Sequence, residues 1–364
     1  MAHAQWAAIA DLRRSEENHA YGEPSKMIPD GGAAASGRSA TMQDVARAAR
    51  VSPMTVSNAF RHPHRVQEPT RLRVLTAAAE LGYVPNLTAG HLAAGRSRVI
   101  GATVPSVSNS SFHRYLTGLH EGCSEHGHQL VLMLADTAAQ ERQAVEAFIG
   151  LRVAGMVLIG NDHAAATQAL LAKWSIPLVE TWLLDEAIDM AVGFRIDEAV
   201  RAACRLHLRA GRRRIGLIGN DPGTRRIRER LPVFRDEMRR AGLRDDLVVA
   251  AGDPHSFASG PPSLDALLAL DADLDAVICP TDVVAASIVF ECARRGISVP
   301  GRMGVVGWGD YEIAATMTPA LTTIRPNPRE MGLEAVAMLM ERHATGRGPG
   351  RIDTGFELIE RHSA

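Results

Sequence analysis

With 364 residues, 46% of them hydrophobic and 22% charged, the chain has ordinary globular composition and room for two or three domains. No apolar run approaches the ~18 to 20 residues of a membrane span, and the N-terminus lacks the basic-then-apolar pattern of a secretory signal. The four cysteines (123, 204, 279, 292) are scattered through apolar or helical patterns without metal-ligand spacing, so they read as reduced core cysteines of a cytoplasmic protein.

Residues 1–40 are rich in Ala, Gly, Ser and Pro with no sustained apolar period, and read as a disordered leader or as an over-extended start with Met27 the initiator. A helix-turn-helix head is expected over 41–84. Thr41 N-caps a first helix, Asp44 closes a capping box, and Val45, Ala48 and Ala49 form its apolar stripe. Ser52 caps a second helix whose first helical position is Pro53, where the missing N–H is no loss. Val56 and Phe60 point inward from it, while Met54, Thr55, Ser57, Asn58 and Arg61 face outward. A third helix runs from about Pro69 to Leu81, with Leu72, Leu75 and Ala79 inward and Gly82 ending it. Between Thr41 and Arg98 eight arginines face three acidic residues, a net +5 within a chain of formal net charge −1. Phosphate binding needs such local asymmetry.

The strings Gln43-Asp-Val-Ala, Val51-Ser, Thr55-Val-Ser57, Leu81-Gly-Tyr-Val-Pro-Asn86 and Leu92 resemble the head and hinge of lac-repressor-type transcription regulators. The resemblance implies that two heads of a homodimer dock in adjacent major grooves of a pseudo-palindromic double-stranded operator, on a face carrying Thr41, Ser52, Pro53, Met54, Thr55, Ser57, Asn58 and Arg61. Asn58 can read adenine bidentately, and Thr55 can touch a phosphate or a thymine methyl. The family commonly carries arginine where Asn58 stands, so the operator is expected to deviate there. Segment 85–98 matches the hinge helix and linker, expected to order only when paired on DNA, with Asn86, Ala89 and Leu92 at the minor groove and Leu92 wedged between base pairs.

From Val99 onward, short apolar runs alternate with amphipathic stretches, the mark of βαβ repetition and parallel sheets. Over 99–364 two lobes fit better than one sheet. The resemblance implies a periplasmic-binding-protein-like core: lobe 1 about 99–195 and 325–346, lobe 2 about 196–322 and 350–364. Three crossings are expected near 193–197, 322–326 and 346–351. Ligands of such sheets bind at the carboxyl ends of strands, and the loops there supply Asn109, Phe112, His163, Glu180, Trp182, Arg195, Arg230, Asp282 and Trp308 as effector residues. By resemblance Arg230 is a ligand-binding arginine, and Asp282 holds ligand hydroxyls while also able to cap a helix.

The strings at 105–112, 160–163, 179–182, 188–194 and 353–356 resemble the gluconate-operon repressor branch, which implies a sugar-acid effector held by Arg230, Arg195, His163 or Arg225. Arg195-Ile196 departs from the Asp-Asn common in the family, which either adds a carboxylate clamp or changes the ligand. Nucleotide-binding loops, a nucleophile elbow and metal spacing are all missing, so neither catalysis nor a cofactor is expected. A plain solute-binding protein would account for 99–364 but not for the head. The reading is a cytoplasmic, nucleoid-associated regulator, a repressor of carbohydrate or sugar-acid genes released by its effector, with a neutral sugar or other effector, or an activating or co-repressor-dependent role, as the alternatives. No C-terminal heptad is present for tetramerisation.

Overall fold

The computed structural model describes residues 40–84, 97–106, 110–219 and 225–364. The expected leader and the hinge residues 86–95 lie outside them. The chain divides into two compact units, one up to residue 87 and one from 88 onward.

In the first unit α1 (Met42–Ala49), α2 (Pro53–Arg61) and α3 (Glu68–Glu80) form the head. The Thr41 hydroxyl accepts from the Asp44 N–H at 3.3 Å, and the Asp44 carboxylate accepts the Thr41 N–H at 3.0 Å. Arg50 ends α1 in the left-handed region, and Ser52 then caps α2 through the Thr55 N–H at 3.1 Å. The capping expectations therefore match residue for residue. Two apolar faces differ from expectation. Val45, Ala46 and Ala49 are buried and Ala48 is exposed, while α3 turns Val74, Ala77 and Ala78 inward and leaves Leu72 53% exposed and Ala79 exposed. Small side chains fill the tight space beside the α1–α2 corner, where a leucine would hold the helices apart.

The second unit holds two six-stranded sheets. The first contains β1 (Val99–Val104), β2 (Gln129–Leu134), β3 (Gly155–Ile159), β4 (Leu178–Trp182), β5 (Met190–Gly193) and β11 (Arg351–Asp353), in the order β2-β1-β3-β4-β5-β11. The second contains β6 (Ile215–Gly219), β7 (Val248–Ala250), β8 (Ala276–Ile278), β9 (Gly304–Trp308), β10 (Thr322–Pro326) and β12 (Phe356–Ile359), ordered β7-β6-β8-β9-β10-β12. All pairings are parallel except β10 with β12. The helices between the strands are α4 (Ser110–Glu125), α5 (Ala138–Gly150), α6 (Ala165–Trp174), α7 (Ile196–Arg209), α8 (Arg225–Arg228), α9 (Arg230–Arg240), α10 (Gly260–Leu270), α11 (Asp282–Arg294), α12 (Glu312–Thr316) and α13 (Pro328–Thr345). α13 lies across α4 at very close range: a Cβ on Gly118 would stand 2.0 Å from the Arg329 carbonyl oxygen, and one on Gly332 2.4 Å from that of Tyr115. The four cysteines are buried and free.

The chain passes between the sheets at 194–195, at Asn327 and at 354–355. The third passage corrects the expected 346–351: after α13 the chain runs back as β11 beside β5, pairing Arg351 with Ala191, so the first lobe keeps residues up to 353. The passages are bonded to one another. Thr354 donates its N–H (2.8 Å) and its hydroxyl (3.0 Å) to the Gly193 carbonyl, and the Asn327 side chain donates to the Thr354 carbonyl at 2.8 Å.

Candidate functional site

On the head, Ser52, Pro53 and Met54 are exposed, Met54 to 69%, while Thr41, Thr55, Ser57 and Asn58 are half-buried at its surface. The Ser52 and Thr55 hydroxyls lie 2.9 Å apart, so the first turn of α2 presents a linked pair of hydroxyls. Arg61 is the last residue of α2, and Arg50, Arg65 and Arg73 are exposed. Arg47 and Arg71 pair with Asp44 and Glu68 within their own helices, contacts that exposure to water makes weak. Asn86, Ala89 and Leu92 lie outside the described residues.

In the core, the other predicted residues gather at the carboxyl ends of the strands, but mostly as partners of one another. His163, after β3, has its Nε2 3.0 Å from Glu180 Oε1 and its Nδ1 3.0 Å from Glu141 Oε1, the second without hydrogen-bond alignment. Burial pulls the His163 pKa down, but the two carboxylates outweigh it and raise it to about 9, so the ring is a buried cation. The other Glu180 oxygen accepts the Ile188 N–H. His163 and Glu180, expected to face a ligand, stand here as a buried pair that also holds the backbone at Ile188.

Asp282 is fully buried at the start of α11, and the cap there is Thr281, whose hydroxyl accepts the Val284 N–H. Asp282 Oδ2 accepts the Tyr311 N–H and Oδ1 the Thr323 hydroxyl, both at 2.6 Å. Burial raises its pKa to about 7 against those two bonds, which lower it. It is neither the cap nor an open ligand group in this conformation. Arg195 is exposed and chelates Asp197 at 3.0 and 2.9 Å, which commits the expected carboxylate clamp to an internal partner.

Three predicted aromatics and one arginine pair within their own lobes. Phe112 and Trp182 meet edge-to-face at 5.5 Å in the first lobe. In the second, the buried Arg230 guanidinium lies 3.6 Å over the Trp308 ring and donates to the Pro280 carbonyl at 3.0 Å. Asn109 lies outside the described residues. Two further arginines tie the second lobe to the first: Arg225, already a candidate carboxylate donor, bonds Glu186 at 2.7 Å, and Arg228, which pattern reading missed, pairs with Asp162. Their i, i+3 spacing on α8 was the available signal. Among the described residues no His/Cys/Asp/Glu cluster could hold a metal, and no helix is long and apolar enough to cross a membrane.

A capped helix-turn-helix in one unit and a two-lobed α/β cleft in the other define a ligand-responsive DNA-binding regulator. Residues 41–86 match the family model described as bacterial regulatory proteins, lacI family, and residues 205–364 that of a periplasmic binding protein-like domain. The HTH-type transcriptional regulator GntR of Pseudomonas aeruginosa is 31% identical over 327 residues, 89% of this chain and 95% of that protein. A LacI-family regulator structure from Silicibacter pomeroyi superposes with a TM-score of 0.80 at 30% identity, covering 89% of this chain and 99% of that one. A transcriptional regulator CelR–cellobiose complex gives a TM-score of 0.67 at 25% identity, over 89% of this chain and 100% of that chain. The chain belongs to the lacI family of bacterial regulatory proteins, and its relatives are transcription regulators rather than enzymes.

Proposed function

We propose that the protein is a homodimeric repressor of carbohydrate or sugar-acid genes, acting in the cytoplasm at the nucleoid and released from a pseudo-palindromic operator when a sugar acid enters the cleft. The observation that supports the ligand class best is Arg230: a cation held by a backbone carbonyl over an indole face is preorganised for a carboxylate on a polyhydroxylated carbon chain. Apolar side chains exposed on each lobe, Leu132 and Leu134 on the edge strand β2 and the stacked Phe257 and Phe290, favour a dimer through both lobes.

Calorimetry with aldonates and with neutral sugars tests the ligand. Sub-millimolar aldonate binding that Arg230→Ala abolishes supports the reading; normal binding by that variant refutes the pocket. The cellobiose in the complex of the similar regulator CelR favours a neutral sugar as the second reading, and the same panel decides between them. On the DNA side, we propose Leu92 as the minor-groove wedge. Leu92→Ala is expected to lose operator affinity in gel retardation while effector affinity survives.

A further inference from the structure

Trp182 ends β4 with φ +75, a left-handed backbone that a bulky side chain rarely adopts. Strain of this kind persists where surrounding structure enforces it, and it clusters at ligand sites. Here the neighbouring strand enforces it. Gly193 of β5 passes so close that a Cβ would stand 2.8 Å from the Trp182 carbonyl carbon. The ring is fixed between the edge of Phe112 at 5.5 Å and Tyr115 at 6.0 Å, and the residue is only 6% exposed.

Among the described residues its indole N–H has no hydrogen-bond partner, although it is buried. Buried tryptophans ordinarily find an acceptor, because an unmet donor in a low-dielectric site is costly. The hydroxyls of the adjoining Thr181 and Tyr115 bond each other and the backbone. The Thr181 hydroxyl donates to the Leu158 carbonyl at 3.1 Å, so the Tyr115 hydroxyl, 3.1 Å from Thr181 Oγ1, donates to that oxygen. Neither accepts from Trp182. A strained, wedged indole with an unmet donor therefore stands at the carboxyl edge of the first sheet, where this class of fold takes its ligands.

We propose that the Trp182 N–H is the first lobe's specificity-determining donor to the effector, reading one acceptor oxygen, so that the ring is more than an apolar wall. The proposal rests on the cleft being the effector site. Trp182→Phe keeps an aromatic ring and deletes the donor. Titration of the full-length protein, Trp182→Phe and Arg230→Ala with sodium D-gluconate and with D-sorbitol distinguishes a carboxylate from a hydroxyl as the acceptor. The expected result is about tenfold weaker gluconate binding by Trp182→Phe, with the unliganded melting temperature retained because the lost donor had no partner. In indole-15N-labelled protein, the resonance missing from Trp182→Phe should move downfield on ligand addition. Equal weakening toward both ligands assigns the acceptor to a hydroxyl, and weakening toward gluconate alone assigns it to the carboxylate. Unchanged affinity with an unmoved resonance overturns the proposal while Arg230→Ala still tests the cleft. If the unmodified protein binds neither compound, the cleft reading falls and takes the proposal with it.

Discussion

His163 is a histidine whose charge is set by two carboxylates rather than by solvent. Its folded pKa of about 9 lies above the ~6.5 of an unfolded imidazole, so its stabilising share is whole below about pH 6.5 and is lost as pH rises through 9. Asp282, raised to about 7 against ~3.9 unfolded, acts in the same direction at lower pH, its share whole below about 4 and gone above 7. Between pH 7 and 9.5 the melting temperature should therefore fall mainly because of His163. His163→Gln should flatten that slope and cost about 3 kcal/mol at pH 6.5, because Glu180 would keep its burial and lose its cation. Parallel melting curves for the two proteins across this range would remove His163 as the cause. His163 and Glu180 both stand in local strings that resemble a family branch. Their pairing was not legible, since Glu180 is 17 residues away and meets His163 only through the sheet.

At the scale of elements, what was legible depended on range. Caps are local, and Thr41, Asp44, Ser52 and Pro53 all stand where their side-chain chemistry places them. The inward face of α3 is a tertiary property. Leucine outweighs alanine in any apolar pattern, so Leu72 and Leu75 drew the face, yet the corner it packs against admits only Val74, Ala77 and Ala78. Two substitutions check this directly. Leu72→Gln should change head stability by less than about 0.5 kcal/mol, whereas Val74→Ala should cost about 2 kcal/mol, both read from protease resistance of the head in the full-length protein. A large loss from Leu72→Gln would restore the original face. Ser52→Ala removes a cap worth about 1 kcal/mol and one of the linked hydroxyls. It should weaken operator binding in gel retardation while the core melts unchanged.

Across the whole molecule, alternation of strand and helix made the two lobes readable, but not the bonds between them. Arg225 reaches Glu186 over 39 positions of sequence, and Arg228 reaches Asp162 over 66. Such pairs at partly exposed sites are worth about 0–1 kcal/mol each, small beside the core but comparable to the free-energy differences that move lobes. The double variant Arg225→Ala with Arg228→Ala should widen the radius of gyration seen by X-ray scattering and weaken the effector about three- to tenfold. Its core melting temperature should change little. An unaltered scattering profile would show that these arginines do not hold the cleft.

The three crossings at 194–195, 327 and 354–355 are each one or two residues long and bonded to one another through Gly193, Thr354 and Asn327. A door on a single hinge can sag and twist, whereas three hinges joined side by side leave it one way to swing. The lobes accordingly have close to one degree of freedom, and the widest travel falls at the rims farthest from the crossings. A ligand that grips both sides of the cleft spends its binding energy along that single coordinate, and little of it dissipates in other motions.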